Sequence, residues 1–555
     1  MVIFVLLALR APAAFLSSPR PLMKQFSALL LWVAPLASWA QATVTTPAPP
    51  PPGAPAQIAR TELLLDHASE DAWVQAMPAD TAVVVLLRRQ PKLFGKPQYA
   101  LAHYRASLAL KREQPLEIAD EYDVERLCAE PGVLYTVCRS HQEPGTLLVA
   151  AYNVRDGRVH LQEFKTKKCR DIAAVRAVDG KLLATVAMDD GQHQTVLLLD
   201  VATGSFQFLP SLYESISSEF TSVADAPAGR AEFVASQTNG RKQRLMLKQL
   251  SAERGELLRS EMVQAESERT LITAQLSPLQ DTSARLLAGT YGLRGPQYAQ
   301  GLFTTDLTAA PANPADPRPA LKFYDFRRLR HFFDYLGPGK EARLRDRTTR
   351  REAEELSPLR WHYRLLLHEL LPRADGGYTL VAEVYYPRYN YGNMGTNPAL
   401  NNYSNMGLPY YTGAYSSAAG RALVGFRTTH VLVCGFDRRG SLLWDNTYVV
   451  ENELLHDQLE EAVRTIALPD GRLVLAYLTE EGLHYKLVNQ DEASPNDLKV
   501  ELFTAGPGVK EKVIDTYQPD IQPWVGRQYV ASGFQNIKSP NGAVRNVFFL
   551  QTLEF

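Results

Sequence analysis

The chain has 555 residues, 45% of them hydrophobic and 21% charged, with a formal net charge of −1. Those proportions belong to folded globular proteins and exclude disorder of the whole chain, while the length demands several domains or one large repetitive one. A near-neutral balance leaves no basic field to hold nucleic acid.

Residues 1–22 are apolar and precede a second methionine, Met23, which reads as the true start behind a misassigned upstream one. Met23-Lys24 opens a short positive region, residues 26–36 are apolar apart from Ser27 and Pro35, and Ala40-Gln41-Ala42 supplies small residues for cleavage. That layout is a secretory leader over 23–42, too short in its apolar part to anchor the chain in a bilayer. The mature chain is expected near Thr43 with no transmembrane segment, in the periplasm, secreted or on the outer surface. Residues 43–57 are rich in proline and alanine and form an extended spacer. The folded part is expected over 58–555.

Glycine-centred turns then recur. Asp179-Gly180-Lys181 precedes an apolar run that ends before Asp190-Gly191; Asp470-Gly471-Arg472 and Gly229-Arg230 open the same pattern, with a second glycine eleven residues on. Each unit reads as turn, strand, turn, because Asn-Gly and Asp-Gly supply the positive φ that tight turns need. The turn marks fall at Gly132, Gly180, Gly229, about 283, Gly376, Gly471 and Gly526. Gly132, Gly180 and Gly229 are 48 and 49 residues apart and Gly471 and Gly526 are 55 apart. Periods near 40–50 residues, each holding about four short strands, predict an all-β fold: a single β-propeller of about seven blades, with eight as the alternative. The run 81–87 is expected to close the ring by pairing with a last strand over 547–553, which would remove an open edge.

Four cysteines make no disulfide scaffold. Cys128 and Cys138 flank Pro131-Gly132, so either a local bridge or two buried thiols fits, and Cys169 and Cys434 have no sequence partner. Residues 323–357 read as a helical insertion, with Phe323, Phe326, Leu329, Phe333 and Leu336 at helical spacing and a charged run after Gly337-Pro338-Gly339. A solvated surface helix and a partner-binding helix are both compatible with that run.

A second insertion, 385–427, replaces a tight turn with a Tyr/Asn-rich loop. Tyr385, Tyr386, Tyr389, Tyr391, Tyr403, Tyr410, Tyr411 and Tyr415 sit among six asparagines. Long insertions of this kind are functional or disordered, and this composition suits binding through rigid aromatic area and adaptable amides. These eight tyrosines are the candidate binding residues.

The segment Asp375-Gly376-Gly377-Tyr378, followed by Asp437-Arg438-Arg439-Gly440 through Trp444 and then Asp470-Gly471, resembles the repeat of bacterial quinoprotein-type propellers. Over 375–477 the chain is also similar to exported proteins of Gram-negative bacteria. The resemblance implies a propeller and a structural Trp444 docked between neighbouring sheets; it carries no catalytic residue.

Sequence signals for chemistry are weak. His368-Glu369 lacks the second histidine of a zinc protease, Gly337-Pro338-Gly339-Lys340 lacks the Ser/Thr of a phosphate loop, and no Gly-x-Ser-x-Gly elbow occurs. No catalytic residue, metal site or cofactor is therefore expected. The reading is a non-catalytic binding or scaffold propeller, monomeric, whose partner is a protein or glycan of the cell envelope. A propeller enzyme, either a glycoside hydrolase or a quinone-dependent dehydrogenase, is the alternative.

Overall fold

The computed structural model describes residues 53–555 except 91–94, 144, 167–168, 189–193, 210–217, 226–228, 239–242, 264–268, 279–284, 294, 310–319, 391–421, 451–453, 457–458, 493–494, 496–497 and 505–510. The expected leader, the start of the expected spacer and most of the Tyr/Asn-rich insertion thus lie outside the described residues.

Eight antiparallel sheets follow one another along the chain: blades 1 to 8 cover 71–116, 122–165, 169–208, 218–263, 269–325, 364–456, 464–500 and 512–554. Seven have four strands, and blade 6 has two short extra ones. The first strands of blades 1–2, 2–3, 3–4, 4–5, 7–8 and 8–1 touch, which makes them the inner strands of a ring. A Gln275 amide donating to the Leu367 carbonyl at 3.1 Å links blades 5 and 6 in the same way. The fold is a β-propeller of eight blades.

Each blade alone leaves two sheet faces wet. Radial packing covers both, and the ring accordingly holds an apolar cluster at each of its eight interfaces. Trp444 packs at the cluster shared by blades 6 and 7, with Gly435 opposite it, where a Cβ would collide with the indole.

Eight blades stand where seven turn marks are legible because blade 1 makes its first turn without glycine. The marks at Gly132, Gly180, Gly229, Gly376, Gly471 and Gly526 all lie between first and second strands, all with positive φ. At Gly180 (φ 75°) a Cβ would meet nothing within 4 Å, so the requirement is conformational and not one of space. In blade 1 the same place in the turn is held by Thr81 in the left-handed region, φ 49° and ψ 37°.

Ring closure also differs from expectation. The run 81–87 starts in the Thr81 turn and continues into Ala82–Arg89, the second strand of blade 1. The strand that closes the ring is Ala56–Leu63, which pairs antiparallel with Val544–Glu554 and becomes the outermost strand of blade 8. The helical insertion is shorter than 323–357: Lys322–Asp325 is the outer strand of blade 5, two 3-10 turns follow, and the helix spans Pro338–Ala353. Phe323 pairs in that strand, while Phe326 from the first 3-10 turn and Phe332 and Phe333 from the chain after it pack over blade 6.

Cys128 pairs in register with Tyr135 and Cys138 with Val124, so the two do not face each other, and both are free thiols. Burial pushes each up to about 12. Among the described residues no helix is long and apolar enough to cross a membrane.

Candidate functional site

In a meander, successive turns alternate between the two faces of the ring. Turns from second to third strands and the connections between blades therefore share one face, here termed upper. Three unusual elements of blade 6 meet there: the long central hairpin, the connection 326–363 that enters the blade, and the segment 454–463 that leaves it.

The hairpin strands Tyr378–Asn390 and Ala422–Phe436 run 13 and 15 residues. Corresponding strands of the other blades run 6 to 11. The candidate tyrosines divide along this hairpin. Tyr385 is 1% exposed and meets Phe426 edge-on, with ring centroids 5.9 Å apart, so it anchors the root. Tyr386 is exposed, and burial of its hydroxyl beside Tyr335 pushes it up to about 12. Tyr389 packs partly against the same root cluster. Tyr391, Tyr403, Tyr410, Tyr411 and Tyr415 lie outside the described residues.

The connection 326–363 is clamped beside the hairpin. The Asp445 carboxylate accepts from the Arg330 amide at 2.9 Å and the His331 amide at 2.7 Å. Tyr335 stacks on His430 with centroids 4.0 Å apart and shares a 2.7 Å hydroxyl contact with Tyr363. His430 is fully buried, and burial pushes its imidazole down to about 3.

Beneath this roof lies a buried polar knot. Glu383 is fully buried; its Oε1 meets His368 Nε2 at 2.9 Å and accepts from the Val463 amide at 2.9 Å, while its Oε2 accepts from Thr428 at 3.1 Å. Burial opposes charge on His368, but the Glu461 carboxylate and the hydrogen bond the imidazole makes to Glu383 outweigh it and hold the imidazole above its usual value. Charge then continues into the central channel. Arg176 of blade 3 pairs with Glu369 of blade 6, and Arg464 of blade 7 meets Glu461 at 3.3 Å and Asp520 of blade 8 at 4.0 Å.

These pairs could brace the ring or orient a charged ligand at the channel mouth. Among the described residues no group of three or more His, Cys, Asp or Glu is placed to hold a metal ion. Asp445, whose carboxyl burial pushes up, uses both oxygens on backbone amides and is a clamp. Sequence reasoning missed Glu383, His368 and the channel pairs. Glu383 is a single acid in an apolar strand and His368, Glu369 and Glu461 lie in connections between strands, so nothing local marks which ones converge.

The chain matches no protein-family profile and no curated protein. Among solved structures it is similar to the polysaccharide lyase Uly1, at 10% identity and a TM-score of 0.38 over 89% of this chain and 100% of that one. A europium-containing methanol dehydrogenase shows 9% identity and a TM-score of 0.38 over 89% and 96%. The β-propeller domain of the Trilobed protease from Pyrococcus furiosus shows 8% and 0.33 over 78% and 94%. At these scores they carry no argument about activity, and the propeller rests on its own strand pairing.

Proposed function

We propose that the chain is an exported, non-catalytic propeller of the Gram-negative cell envelope that binds a protein or glycan through the upper face of blade 6. The observation that carries this reading is the overlong hairpin, whose central strands exceed those of every other blade, which presents the exposed Tyr386 and leads into the Tyr/Asn-rich segment. Loops on a rigid scaffold are where binding residues concentrate, and tyrosine offers broad contact area with few rotors to immobilise. The leader-like layout of residues 23–42 supports export, and the neutral charge argues against nucleic acid. The enzymatic alternative has less behind it, because Glu369, Glu461 and Asp520 each face a guanidinium group.

Replacing 391–421 with an Asn-Gly turn between the paired Asn390 and Ala422 tests the reading and keeps Phe426 on Tyr385 at the root. Loop length is thermodynamically cheap, so the melting temperature should hold within a few degrees. Capture of the partner from cell-envelope extracts, quantified by mass spectrometry against the intact chain, should disappear. Protease or glycosidase treatment of the extract then tells a protein partner from a glycan. Undiminished capture by the shortened chain would overturn the proposal.

A further inference from the structure

On the lower face, opposite the tyrosine hairpin, a pocket of about 280 Å³ opens between blades 4 and 5. The same interface is apolar elsewhere, where Val234, Leu245 and Val263 meet Leu271, Ala274 and Phe303. In the pocket that packing gives way to Arg230, Lys248, Arg259 and Arg285 with Glu232 and Glu261. Taking Lys248, Arg285 and Glu232 into this interface is costly unless each is compensated. Part of the compensation is internal: Arg285 pairs with Glu232, Gln249 donates to Glu232 at 3.2 Å, and Arg259 meets Glu261 at 2.8 Å. Two carboxylates against four cations still leave the described lining positive. Lys248, 7% exposed, makes contacts of its own, whereas the buried Arg230 Nε has no hydrogen-bond partner among the described residues.

We propose that this pocket binds a phosphate group, either inorganic phosphate or the phosphate of a small ester. Guanidinium forks reach it from the second and outer strands of blade 4 and from the first turn of blade 5, and such forks match the oxygens of a tetrahedral dianion. Leu247, Leu276 and Leu307 add an apolar wall for a short carbon skeleton. The volume lies near the lower end for small-molecule sites and limits the ligand to a compact one. The site is independent of the upper-face reading, since it shares no residue with blade 6.

The test is calorimetric titration of the full-length protein with inorganic phosphate, with sodium chloride at matched ionic strength as the control. Saturable binding at one site per chain is expected, together with a rise in melting temperature that chloride does not give. Arg230→Gln should weaken binding about tenfold or more. The more exposed Arg259→Gln leaves the interior untouched and should weaken it by a smaller factor at unchanged melting temperature. Titrating phosphate against glycerol phosphate separates the two sources: tighter binding of the ester assigns the leucine wall to its carbon skeleton, and equal or weaker binding assigns the site to the free ion. Heats that chloride reproduces, or phosphate binding unchanged in Arg230→Gln and Arg259→Gln, would overturn the proposal.

Discussion

Glu383 gathers three neighbours that lie far apart in the chain: His368 from the inner edge of its own blade, Thr428 from the next strand, and the Val463 amide at the entry to blade 7. Removing one member of a buried ion pair strands the other, which typically costs about 3–5 kcal/mol. Glu383→Gln is therefore expected to destabilise the protein by that order in urea titration at pH 6. The pH dependence has a definite sign. His368 titrates higher in the folded chain than unfolded, so its contribution is complete below the unfolded value of about 6.5 and fades as pH rises through the folded one. The gap between Glu383→Gln and the native protein should be widest in mild acid and narrow with increasing pH; a gap that widens would contradict the pairing. This knot left no trace in the sequence, where Glu383 is one acid in an apolar strand. The turn glycines were legible because positive φ selects glycine wherever it occurs, and Thr81 hid a blade because it adopts the same conformation with a side chain.

The blade-6 insertion is an element of a different kind, held by a few contacts and not by a sheet. Phe332, Tyr335 and Tyr363 enclose His430, and the Asp445 carboxylate ties down the chain before Tyr335. Burial keeps the His430 imidazole uncharged down to about 3. Exposing it allows it to take up a proton, so below pH 6.5 the docked state should lose up to about 1.4 kcal/mol per pH unit until the folded value is reached. The opening equilibrium of 326–363, read from amide exchange after dividing out the intrinsic exchange rate at each pH, should rise from pH 6.5 towards pH 4, and His430→Phe should flatten that slope. An equal slope in the variant would place the acid sensitivity elsewhere. The insertion was visible in the sequence as a break in the repeat and as a charged helix. Its aromatic spacing was misread because residues that reach a core from 3-10 turns can fall three or four apart without forming an α-helix. The tyrosine insertion was legible by composition, but among its described members only Tyr386 is exposed, since Tyr385 fills the root and Tyr389 packs against it.

For the molecule as a whole, the blade period was readable from turn chemistry, and the closure only in principle. Ala56–Leu63 begins inside the proline-rich stretch 43–57 and carries no glycine mark, so it was passed over for the more apolar run 81–87. Everything proposed for the two faces depends on a ring that is shut. Blade 8 takes its outermost strand from the other end of the chain, and that strand pairs only with Val544–Glu554 within its sheet. Deleting residues 546–555 removes the strand that holds both ends and exposes the apolar clusters on either side of blade 8. The most direct measurement is thermal unfolding of this truncated chain beside the full-length one. A closed ring predicts that the truncated chain loses cooperative folding throughout, with no native-like transition remaining. A truncated chain that melts cooperatively at the full-length temperature would contradict closure, and with it the propeller as described.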